Sequence, residues 1–222
     1  MVTALTGALA GAVHVLSGPD HLAAVTPLAI ARRRGSWLTG WAWGVGHASG
    51  VTAVAALAIV LRDLLPPVEL IASWSEKIVG GALIAVGLWA LRRGLRIQTA
   101  SHVHDGIPHD HVHVQAGPAI VRRLGHGHAS FLMGVLHGIA GSSHFLGVLP
   151  ALALPTASAA FTYIAAFGIA TVAAMTAFTT LVGVAAGWSR AASAYAYRTI
   201  VFAGAALAMG VGGFWLMHSA AF

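Results

Sequence analysis

Six ionisable side chains stand in stretches that are otherwise apolar: His14, Asp20, His21, His47, His137 and His144. Such groups are expensive inside a membrane and point by default to function. The chain has no cysteine, so thiolate sites and disulfides are excluded and the donors are imidazole and carboxylate. That set suits borderline divalent metals such as Ni, Co, Zn, Fe or Mn. It suits Mg and Ca poorly, because those prefer all-oxygen shells. His14 and His21 are seven residues apart, nearly two helical turns, so a straight helix would carry both on one face.

The elements that must position these groups are membrane helices. The 222 residues are 58% hydrophobic and 8% charged, and the mean hydropathy is +0.81. Soluble domains carry about 25% charged residues. A net charge of +6 without a hydrophilic domain reads as membrane topology, so no nucleic-acid partner is expected. Six segments are long enough to span, at about 2–31, 36–61, 66–91, 129–154, 157–187 and 193–218. The N-terminus lacks the basic start of a secretory signal and reads as the first of them. Ten arginines (32–34, 92, 93, 96, 122, 123, 190 and 198) fall on one side of a six-span arrangement, leaving Arg62 and Lys77 on the other. The positive-inside rule then puts both termini outside and the 92–128 loop in the cytoplasm of a multi-pass cell (inner) membrane protein. Tryptophans near the predicted ends (37, 74, 89, 188 and 215) suit an interfacial belt.

Within the first segment, "HVLSGPDHLAAV" (His14–Val25) should break the helix. Pro19 lacks an N–H and disfavours helix at Gly18. Ser17 is the expected N-cap of a second half-helix, with Asp20 in its first turn at the positive dipole end. The stretch repeats without gaps 123 residues later: His14, Gly18, His21 and Pro27 match His137, Gly141, His144 and Pro150, while Asp20 faces Ser143. At the same offset Gly81 and Gly87 match Gly204 and Gly210. A looser likeness, one residue out of phase, pairs "WGVGH" (Trp43–His47) with "FGIAT" (Phe167–Thr171). Three spans per half is odd, so the halves run in opposite directions through the membrane, as in many secondary transporters. The expected fold is therefore an all-α membrane protein of six helices in two inverted three-helix repeats, 1–91 and 129–222, with broken first and fourth helices. Ser142 and Ser143 are candidate accessory polar groups or caps in the second half.

The 92–128 segment is polar and punctuated by Gly and Pro, which predicts mobility. Its histidines come as alternating groups: His102 and His104; His109, His111 and His113; His126 and His128. In an extended chain such spacing puts imidazoles on one side, as weak, exchangeable metal-buffering sites.

These residues resemble the nickel/cobalt transporter superfamily, which includes NiCoT permeases, UreH-type proteins and RcnA-type exporters. "HVLSGPDHLAAV" is similar to the signature helix, in which a His is followed by four residues and Asp-His; here five residues separate His14 from Asp20. "GVGHASGV" (Gly44–Val51) is similar to the family's Gly-His motif and carries His47, and "GVLHGIAGSSH" (Gly134–His144) resembles the second-half motif region. The resemblance covers short stretches, and the predicted six spans look more like the UreH-type branch. It implies a non-enzymatic transporter of Ni²⁺ or Co²⁺, with Zn²⁺, Fe²⁺ and Mn²⁺ as further candidates. The cation is substrate, no cofactor is permanently bound, and a cytoplasmic metallochaperone is a fitting partner. The alternative from the residues alone is a six-helix cytochrome with histidine-ligated haem b.

Overall fold

The computed structural model describes residues 1–32, 34–60, 68–104, 107–114, 119–140, 150–151 and 153–218, without side chains at 55–60, 68–73, 75, 98–104, 107–114, 119–126 and 140. Its helices are α1 (Val2–Ser17), α2 (Pro19–Ala31), α3 (Trp37–Val60), α4 (Val68–Leu95), α5 (Ala119–Ala140), α6 (Ala157–Ala192) and α7 (Ala194–His218). Between α4 and α5 lies an antiparallel hairpin, β1 (Ile97–His104) and β2 (Ile107–Val114). Three described helices, Glu76–Leu95 of α4, α6 and α7, are long and apolar enough to cross a membrane. The α1–α2 pair passes the same test as one span bent by 70°.

The break falls where the sequence places it, at Gly18, with Pro19 opening α2. Proline is tolerated there because the first helical N–H has no partner to lose. Ser17 does not cap α2, contrary to expectation. The N-cap is Gly18, and the Ser17 hydroxyl donates back to the Val13 carbonyl at 2.7 Å. Ser17 still belongs to α1, where the carbonyl four residues back is the nearest acceptor.

The polar segment also departs from expectation. α4 continues to Leu95 and α5 begins at Ala119, ten residues before the predicted span. Helix needs no apolar surface, so it can run on past a hydrophobic stretch. The intervening chain forms a two-stranded hairpin within an otherwise helical fold. The signal for it was in the sequence: Asp105-Gly106, itself outside the described residues, separates two runs with alternating histidines, a typical hairpin pattern.

Trp43, Leu83, Met175 and Tyr197 are fully buried, yet many other large apolar side chains face outward. On α1 the exposed stripe is Leu5, Leu9, Val13 and Leu16, while Gly7 and Gly11 are buried. Asp20, His21, Thr39, His47, His137, Thr171 and Thr179 are buried as well. Many large apolar groups exposed, with glycine and polar groups among those inside, is an arrangement that a lipid surround favours.

The helices approach through glycine. α1 packs on α6 with Gly7 and Gly11 against the Tyr163 and Phe167 carbonyls. α3 packs on α5 with Gly134 and Gly138 against the Trp43 and His47 carbonyls. Exchanging the halves maps the first pairing onto the second: Gly11 and Gly134 are 123 residues apart, and Trp43 is the loose counterpart of Phe167. α5 ends at Ala140, also 123 residues after the end of α1 at Ser17. α4 packs on α7, with Gly80 and Gly212 at the contact.

The C-terminal end of α2 is tied to three other helices. Arg93 Nη2 of α4 donates to the Ala31 carbonyl at 2.9 Å, and Tyr197 OH of α7 donates to the Ile30 carbonyl at 3.3 Å. Arg190 Nη2 of α6 donates to that same phenol oxygen at 2.7 Å. The Arg93 and Tyr197 donors serve carbonyls that a helix end leaves without an intrahelical partner, and Arg190 holds the Tyr197 phenol.

Candidate metal centre

The helix break at Gly18 brings His14 and His21 to one place from either side of a sharp bend, and α3 supplies His47. His21 Nε2 lies 3.0 Å from His14 Nε2, which lies 3.4 Å from His47 Nε2. Ring nitrogens of all three fall within 4.8 Å of one another. A tetrahedral ion with metal–nitrogen bonds of about 2.0–2.1 Å has nitrogen–nitrogen edges of about 3.3 Å. The two shorter separations already match that figure. His21 and His47 are fully buried, and His14 is partly buried.

Asp20 stands behind the cluster. Its Oδ1 accepts from His21 Nδ1 at 2.9 Å. With the proton on Nδ1, a neutral His21 presents its Nε2 lone pair toward His14. A carboxylate that fixes the tautomer and orientation of a ligating histidine is a recurrent metal-site device. Gly18 leaves the room for it: a Cβ there would sit 2.9 Å from His21 Nδ1 and 3.1 Å from Asp20 Oδ1. Its φ of −88° is open to any residue, so the requirement is space.

His137 of α5 is 1% exposed, with its ring centroid 5.8 Å from that of His21. It stands beside the three-histidine group as a neighbour from the second half. His144, Ser142 and Ser143 lie outside the described residues. His218 stacks on Phe214 at the exposed end of α7.

Two aromatic walls had no role in the sequence reading. Trp43 stacks on His47 at 4.8 Å with an interplanar angle of 9°, and its ring also lies 5.3 Å from that of His21. Phe167 of α6 faces His14 at 5.5 Å. The loose "WGVGH"/"FGIAT" likeness pairs these two residues, and Trp43 lies inside a predicted span, away from an interfacial belt. Those were the available signals.

The loop histidines divide. The hairpin register sets His102 opposite His109, His104 opposite Ile107, Ala100 opposite His111 and Gln98 opposite His113. With a side-chain period of two, positions 102, 104, 109, 111 and 113 share one face of the ribbon. His126 and His128 differ, because α5 contains both. Residues two apart on a helix fall roughly 200° apart around its axis, so this pair does not share a side.

The fold and site define a helical protein with three or four candidate membrane spans among the described residues and a buried histidine cluster. The chain is 35% identical over 185 residues to "Chloroplast protein FOR GROWTH AND FERTILITY 1" of Arabidopsis thaliana, covering 82% of this chain and 50% of that protein. It is 35% identical over 184 residues to "Chloroplast protein FOR GROWTH AND FERTILITY 2" of the same plant, with 82% and 47% covered. It thus spans about half the length of these two relatives. It is 28% identical over 185 residues to "Urease accessory protein UreH" of Bacillus sp. (strain TB-90), with 80% of this chain and 75% of that protein covered. No family model matches the chain, and no solved structure matches it.

Proposed function

We propose that the chain is a membrane carrier of a divalent transition-metal cation, nickel or cobalt, bound by His14, His21 and His47. The observation that carries this reading is the convergence of three imidazole nitrogens from α1, α2 and α3, inside a protein that exposes many large apolar side chains. Imidazole selects borderline cations. The motif resemblance to the nickel/cobalt transporter superfamily narrows them to nickel and cobalt, and similarity to a urease accessory protein supports the UreH-type branch. Asp20 acts through His21, while His137 adds a donor from the second half, with His144 as a further candidate. The matched glycine contacts of α1 with α6 and of α3 with α5 support two inverted repeats and six spans. Both termini would lie outside the cell membrane, and the hairpin histidines would buffer metal in the cytoplasm.

Haem ligation gains no such support. Axial histidines bind haem from opposite faces with the macrocycle between them, whereas these imidazoles contact one another directly.

The test is the Ni, Co, Zn, Fe and Mn content of cells expressing wild type, His21→Ala or His47→Ala at matched protein levels. The wild type should change cellular Ni or Co, and both variants should abolish that change. Equal contents in all three strains would sink the proposal. The sign of the change gives the direction of transport.

A further inference from the structure

Helix α6 carries five threonines, and four of them behave alike. Thr162, Thr176, Thr179 and Thr180 each donate to the carbonyl four residues back, at 2.7–2.9 Å. Thr171 does not. It is fully buried, and its Oγ1 has no hydrogen-bond partner among the described residues. The carbonyl it would ordinarily use belongs to Phe167, against which Gly11 of α1 is packed. A buried hydroxyl with nothing to bond is costly, so its retention asks for a ligand.

Its neighbours fix where that ligand would be. One turn before it, the Phe167 ring faces His14 at 5.5 Å. One turn after it, Met175 packs with Val15 and Trp43. The next residue, Val172, has its Cα against Gly44 of α3. Thr171 therefore lies on α6 between a residue that faces His14 and one that packs with Val15 and Trp43, beside the helices that carry His14 and His47. In the loose repeat it is also the counterpart of His47. A position that supplies an imidazole in one half supplies a hydroxyl in the other.

From this placement we infer that Thr171 Oγ1 is an oxygen donor to the cation held by His14, His21 and His47. The inference rests on the carrier reading above. With His137 as a further donor, four imidazoles still leave two coordination positions open on a six-coordinate ion. A hydroxyl from α6 would bind the ion to the second half of the chain, so that cation binding links the two halves.

The experiment titrates the purified full chain in detergent with cobalt chloride, following the visible d–d bands and the affinity. Wild type, Thr171→Val, Thr171→Ser and His21→Ala are compared, together with thermal unfolding of each metal-free protein. The expected result is an affinity about tenfold lower for Thr171→Val, the scale seen when a metal-site group is lost, with altered cobalt bands. Thr171→Ser should restore both, and the metal-free Thr171→Val protein should unfold at or above the wild-type temperature. Wild-type affinity and bands in Thr171→Val would overturn the inference, even while His21→Ala abolishes binding and the histidine site stands. An unstable Thr171→Val together with a wild-type-like metal-free Thr171→Ser that has lost the cobalt bands would overturn it too. Absence of cobalt binding in the wild type would overturn the carrier reading itself.

Discussion

Asp20 offers the most discriminating perturbation. Its carboxylate meets His21 Nδ1 at 2.9 Å, on the far side of the imidazole from the nitrogen that faces His14. Asp20→Asn keeps an acceptor at that place and removes the charge. Asp20→Ala removes both. Loss of such an orienting partner costs ten- to a hundredfold in metal affinity, or about 1.4–2.7 kcal/mol. Asparagine should fall near the lower figure and alanine near the upper, with His21→Ala beyond both because a ligand is gone. Calorimetric titration of the purified variants with nickel chloride measures all three against wild type. If Asp20→Asn binds as poorly as His21→Ala, the carboxylate is itself on the cation and the orienting role is wrong. If Asp20→Ala binds like wild type, the contact with His21 is without consequence for the site.

Gly18→Ala puts a methyl group 2.9 Å from His21 Nδ1, so nickel affinity should fall while the helix break persists, which titration and circular dichroism together will register. Gly134→Ala drives a Cβ into the Trp43 carbonyl and should lower stability by about 1–3 kcal/mol, whereas Gly81→Ala meets nothing within 4 Å and should be neutral in thermal unfolding. Tyr197→Phe removes the bonds to Arg190 and the Ile30 carbonyl, for a loss of about 1–3 kcal/mol in the same assay. Exchange of the five hairpin histidines for glutamine should remove weak nickel equivalents in equilibrium dialysis and leave the tight site intact. Because the chain lacks cysteine, single cysteines at Thr3 and Ser101 can be tested with an impermeant maleimide on intact cells, and only Thr3→Cys should label.

Much was legible in the chain itself. Composition set the membrane class, because so few charged groups leave little else to place against water. Proline after glycine set the break between α1 and α2, since that restriction on the backbone is local and needs no partner. Alternation of histidines set which hairpin positions share a face, although the same spacing at His126 and His128 was absorbed into a helix. There the backbone period changed from two to 3.6, which His-x-His spacing alone does not reveal.

What tertiary structure decided was which of the intramembrane groups meet. The sequence nominated six ionisable residues, with Asp20 and His21 foremost and His137 and His144 supported only through the repeat. Folding places ring nitrogens of His14, His21 and His47 within 4.8 Å of one another and turns Asp20 onto the back of His21. The size of the bend, and the depth to which α3 slides along α5 on Gly134 and Gly138, fix those positions. Both involve contacts between residues far apart in the chain, such as Gly11 with Phe167 and Gly134 with Trp43. Local rules specify where a helix stops; only packing specifies what its end will touch.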